Sequence, residues 1–218
     1  MTAPKQNRRR QPSLAVTVAA PLVLTVGLLL TAALAQNGSI LFYATTFGAA
    51  AVLFGAWALF GDHARSFPRD RLWPGLARGV VVGLGLLAVF VLGAFVLRQI
   101  PVLAMPVQDL MSNVVLGGAT VTLATTLLNG VGEELFFRNT VVSRLRARGL
   151  AEKWVFGLAM GAYLVATCAL LVPLLPLAGL VLGVVAHVEA ERTGALYSPV
   201  VLHLVWSTGL FFVLPVVL

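Results

Sequence analysis

The chain has 218 residues, 59% of them hydrophobic and only 11% charged, with a mean hydropathy of +0.96. Soluble domains carry about 25% charged residues, and several apolar runs here exceed the roughly 18 residues that mark a spanning helix, so an ordinary water-soluble globule is excluded. The net charge of +7 would suit nucleic acid, but the basic residues lie in short segments between apolar runs, as membrane topology requires, and no nucleic-acid partner is expected.

Residues 1–12 read as a basic cytoplasmic tail carrying Lys5, Arg8, Arg9 and Arg10, and residues 13–218 as a single transmembrane domain. The tail and the run ending in "TAALAQN" have a secretory signal's outline, including small residues at Ala33 and Ala35. Ser13 to Ala35 is longer than the roughly 7–15 apolar residues of such a signal, so an uncleaved first helix is the reading. The apolar runs predict spans at 13–35, 40–60, 79–97, 114–135, 154–172, 174–190 and 196–217. The fold class is therefore all-α, a polytopic membrane helix bundle of about seven transmembrane helices. Pro173 and Pro176 in "LLVPLLP" punctuate a tight hairpin between the fifth and sixth spans.

Lysine and arginine set the orientation. The tail has four, the 61–78 loop four, the 138–153 loop five and the last connection one, Arg192, against Arg98 alone on the other side. The protein is expected in the cell membrane, multi-pass, with its N-terminus in the cytoplasm and its C-terminus outside. Trp73 and Trp154 fall near inner boundaries, as interfacial belts do. "RNTVVSRLRARG" reads either as a short helix on the inner leaflet or as an ordinary basic loop. Cys168 is the only cysteine, so no intramolecular disulfide and no multi-thiolate metal site can form.

Charges inside a bilayer are costly and mark function by default. Asp62, Asp70, Asp109 and Glu152 belong to loops, and Glu189 and Glu191 read as a solvated helix end beside Arg192. Only Glu133 and Glu134, in "NGVGEELFFRNT", sit on an apolar helix. Glu134 and Arg138 are i,i+4 neighbours and can pair, whereas Glu133 points about 100° away, on the stripe of Asn129 and Phe137. A desolvated carboxylate there suits general-base work; a solvated helix end is the plain alternative. Of the histidines, His63 sits in a charged loop, and His187 lies one turn before an inner boundary. His203, in "SPVVLHLVWSTG", lies roughly 8 Å deep, close to the depth of Glu133, with Ser207 on its face. No serine–histidine–aspartate set, HExxH motif or glycine-rich phosphate loop is present. Glu133, Glu134, His187 and His203 offer oxygen and nitrogen ligands, but nothing in their spacing requires a metal, and no cofactor is called for.

"EELFFR" at Glu133 to Arg138 and "ERTGALYSPVVLH" leading into His203 together resemble the CPBP group of intramembrane proteases, the CAAX prenyl proteases and bacteriocin-processing enzymes, over about residues 114–212. The resemblance implies an endopeptidase whose substrate is a peptide or membrane protein in the bilayer. In it Glu133 activates water, Glu134 and Arg138 hold the local structure, and His203 helps stabilise the oxyanion, all near the cytoplasmic leaflet. The chain departs from the pattern in two places. The family's FxxxH motif finds its best-spaced counterpart at Tyr163 to Thr167, with threonine for histidine; the register from Phe156 would put Met160 there. No histidine lies between residues 139 and 186, which leaves His187 as a possible surrogate. The last motif's asparagine position is Ser207, which can still donate a hydrogen bond. The alternatives are a degenerate relative that binds a membrane partner without cutting it, and a carrier using Glu133 as a proton site. No repeats or broken helices favour the carrier.

Overall fold

The computed structural model describes residues 12–218, so all of the basic tail expected over 1–12 except Pro12 lies outside the described residues. Every regular element described is helical. A π-helical turn at Ala15–Ala19 leads into α1 (Ala20–Leu34), followed by α2 (Ile40–Phe60), the short α3 (His63–Ser66) and a 3-10 turn at Arg69–Arg71. Then come α4 (Leu72–Leu97), α5 (Pro101–Gly117) and α6 (Ala119–Glu133), a π-helical segment at Glu134–Val141, and α7 (Val142–Arg146). The chain closes with α8 (Glu152–Cys168), α9 (Leu175–Thr193) and α10 (Tyr197–Val217).

Among the described residues four helical stretches, not seven, are long and apolar enough to cross a membrane by length and composition: Ala15–Leu34, Ile40–Phe60, His63–Leu97 and Tyr197–Val217. The other expected spans are helical but fall short for identifiable reasons. The 114–135 run breaks at Gly118, whose φ of 97° ends α5 and leaves α6 with 15 residues. A spanning helix needs about 20, and α8 has only 17. Helix α9 carries Glu189, Glu191 and Arg192 in its last turns. What stands is an all-α fold with several long apolar helices, consistent with a membrane bundle. Its outer surface displays Val23, Leu24, Val81, Leu92, Val96 and Val216, a liability in water that lipid removes.

Connections between the helices meet in two groups. At one end Asn37 donates to the Asp109 carbonyl (3.0 Å) and Ser112 Oγ (2.9 Å), and Gly38 N donates to Asn113 Oδ1 (2.7 Å). Gln108 reaches the C-terminal Leu218 there (2.6 Å). Helix α5, which falls between the expected spans, thus closes this end. The opposite end carries the arginines. Arg144 caps the C-terminus of α2 through the Phe60 carbonyl (2.8 Å), satisfying a backbone group that the helix leaves bare. Arg146 clasps Glu152 (2.6 Å) and Glu191 (2.7 Å), carboxylates that hold its guanidinium above its ordinary value. Trp73 and Trp154 are exposed at this same end.

Helix α10 is seated by two devices. Gly75, Gly79 and Gly83 form a four-residue repeat on α4, and backbones approach closely there. A Cβ at Gly79 would lie 2.7 Å from Val201 Cβ and 2.8 Å from the Ser198 carbonyl, and one at Gly83 2.9 Å from the Leu202 carbonyl. Small residues at such an interface are how apolar helices associate in lipid. The second device corrects an expectation. Glu189 is no solvated helix end; it is buried, takes Arg78 Nη2 at 2.8 Å and Ser198 Oγ at 2.8 Å, and so ties α9 to α4 and α10.

Candidate active site

The backbone of "ELFFRNTV" leaves α-helical phasing. Residues Glu134–Val141 form a π-helix, every one of them buried, and the Thr140 hydroxyl donates to the carbonyl five residues back, Leu135 (3.3 Å). Wide turns of this kind recur at functional sites. "RNTVVSRLRARG" is accordingly neither a surface helix nor a plain loop, because Val141, Val142 and Leu145 are core residues. Asn139 anchors the segment, accepting from Asp62 N (2.7 Å) and donating to the Asp62 carbonyl (2.9 Å).

The two adjacent glutamates have opposite surroundings. Glu134 is fully buried: Oε2 lies 3.2 Å from Arg138 Nε, and Oε1 lies 2.8 Å from His203 Nδ1. Glu133 keeps 21% of its side chain exposed, with Oε2 3.9 Å from His203 Nε2. That gap exceeds a direct hydrogen bond. The imidazole therefore stands between the carboxylates, bonded to one and facing the other. Its seat is Gly130, where a Cβ would lie 3.2 Å from His203 Cδ2 and 3.3 Å from Nε2. Trp206 closes on the ring at 6.0 Å between centroids.

Arg138 is buried under Tyr163, with its guanidinium carbon 4.2 Å from the ring centroid, a cation–π contact. Phe137 meets the same ring edge-on at 5.2 Å. Arg138 Nη2 and Glu134 Oε2 have no well-aligned hydrogen bond among the described residues, so the pair is held by charge more than by geometry.

Glu133, Glu134, Arg138 and His203 are thus brought together as one chain of contacts. Ser207 is buried one turn along α10 from His203. Two other residues are not brought in. The Thr167 hydroxyl bonds its own helix at the Leu164 carbonyl (2.9 Å), and the side chain faces Gly179 of α9. The His187 ring meets Phe156 edge-on (4.9 Å between centroids) and makes no ion pair or hydrogen bond with either glutamate. Asn129 turns away to the Thr46 carbonyl of α2 (3.0 Å). Sequence reasoning passed over Tyr163 and Gly130 as site residues; the glycines of "NGVGEE" were the only signal for the latter. Among the described residues, no group of three or more His, Cys, Asp or Glu side chains is arranged to hold a metal ion.

A family model described as Type II CAAX prenyl endopeptidase Rce1-like matches residues 116–209. This CAAX-protease match, of the Rce1-like and CPBP kind, runs from the end of α5 into α10 and takes in Glu133, Glu134, Arg138 and His203, though it covers less than half of the chain. No curated protein matches the chain, and no solved structure does.

Proposed function

We propose that this chain is a CPBP-type intramembrane endopeptidase that hydrolyses a peptide bond near the cytoplasmic leaflet. The observation that carries the reading is the line Arg138–Glu134–His203–Glu133, in which only the last carboxylate is open to its surroundings. Glu133 takes a proton from water as the oxygen attacks the substrate carbonyl, then returns it to the leaving amine. With Nδ1–H donating to Glu134, His203 presents Nε2–H toward the oxyanion. Glu133 and Nε2, 3.9 Å apart, are close enough for both to reach a single oxygen atom. Arg138 braces the far oxygen of Glu134 and so steadies the carboxylate that keeps the imidazole turned. The substrate is a peptide or membrane protein, and the arginine-bearing end faces the cytoplasm.

The test is cleavage of a membrane-peptide library by the purified protein in nanodiscs, read by mass spectrometry. Glu133→Gln should lose at least about 10²-fold in rate while unfolding at the wild-type temperature. Equal cleavage by wild type and Glu133→Gln would overturn the assignment. A second reading, a degenerate relative that binds without cutting, is favoured by one observation: no imidazole from α8 or α9 contacts Glu133. Peptide capture by wild type and Glu133→Gln alike, without cleavage, would support it.

A further inference from the structure

A polar cavity lies at the arginine-bearing end, between α3, α7 and the end of α9. It holds about 350 Å³ of empty space, its open mouth included. Five charged side chains line it, Asp62, Arg65, Arg138, Arg146 and Glu191, and the rest of the wall is uncharged. Both carboxylates are already engaged. Glu191 lies 2.7 Å from Arg146 Nη2, and Asp62 Oδ1 caps α3 by accepting from Arg65 N (3.4 Å). The guanidiniums are less fully answered. Arg65 is exposed and has no ion-pair partner among the described residues. Arg138 is buried and meets Glu134 at Nε, while its Nη2 finds no hydrogen-bond partner among the described residues. A buried donor left unpaired costs stability and calls for an explanation.

We infer that this cavity binds a phosphate group, held by Arg65 and Arg138 with Arg146 at its side. Phosphate supplies the negative charge and the acceptor oxygens that these guanidiniums lack, and guanidinium–phosphate bonds are among the strong charge-assisted ones. Basic pockets between membrane helices take lipid headgroups, and the exposed Trp73 and Trp154 mark this end as headgroup level. The phosphate is carried by an anionic lipid or by a soluble molecule. Only Arg138 is shared with the proposed catalytic line, and the inference does not rest on the peptidase reading.

The test is calorimetry on the full chain in neutral detergent, titrated with dihexanoyl phosphatidic acid and, separately, with inorganic phosphate. One equivalent should bind. Arg65→Gln, a surface change, should weaken binding about tenfold. Asp62→Asn keeps a capping side chain and removes an opposing charge, so it should tighten binding severalfold. Arg69→Gln removes an exposed arginine that does not line the cavity and should match wild type. Tighter binding of the lipid than of inorganic phosphate would assign the site to a headgroup; equal binding would assign it to a soluble phosphate. Absence of saturable binding by both, or equal losses in Arg65→Gln and Arg69→Gln, would overturn the inference.

Discussion

Glu133 and Glu134 are neighbours in sequence, yet one is sealed between Arg138 and His203 and the other is left partly open. Removing Glu134 would strand Arg138 in the interior without its partner. Breaking a buried pair in this way costs about 3–5 kcal/mol, so Glu134→Leu should unfold markedly earlier in a thermal melt, whereas Glu133→Gln should not. Gly130→Ala separates packing from charge. Its methyl group would press on the His203 ring at 3.2 Å, and tilting the imidazole off Glu134 should cost about 10²-fold in cleavage with little change in stability. A variant that cleaves normally would show that the ring's seat on α6 is immaterial. The Glu134–Arg138 pairing was legible because i,i+4 spacing is local, and His203 because depth can be counted along a helix. Tyr163 was not legible, since the Arg138 guanidinium that packs on its ring belongs to another element. Glu189 misled for the same reason: its partner Arg78 is remote in sequence.

The helices themselves follow their hydropathy, and the departures have local causes. Gly118 divides one expected span, and α5 forms from a stretch whose Pro101, Pro106, Gln108 and Asp109 read as a connection. Contacts with the α1–α2 turn and the C-terminus hold it, and none of these is visible along the chain. The π-helical segment carries no glycine or proline that would announce it. The α4–α10 seam joins residues remote in sequence. It makes a sharp prediction. Gly79→Leu should push α10 off α4 and cost about 1–3 kcal/mol or more by overpacking, lowering the unfolding temperature in detergent. Gly85→Leu, on the same helix but with nothing within 4 Å of its Cβ position, should be silent. Equal melting of the two would mean that the seam does not hold the bundle.

For the molecule as a whole, charge asymmetry was the clearest message of the sequence, and the structure gathers the described arginines, Arg98 apart, at one end. In a Cys168→Ala background, a cysteine at Gln36 should react with a membrane-impermeant maleimide on intact cells. One at Arg69 should react only after permeabilisation; the reverse pattern would invert the proposed orientation. The same architecture also sets a timetable. The glycine groove of α4 is threaded into the membrane long before the ribosome has made α10, the strip that fills it and the only source of His203. Until that last helix arrives, Glu134 and Arg138 have each other and nothing to act through. On the proposed peptidase reading, a nascent or prematurely terminated chain that stops short of α10 lacks His203 and is expected to cut nothing.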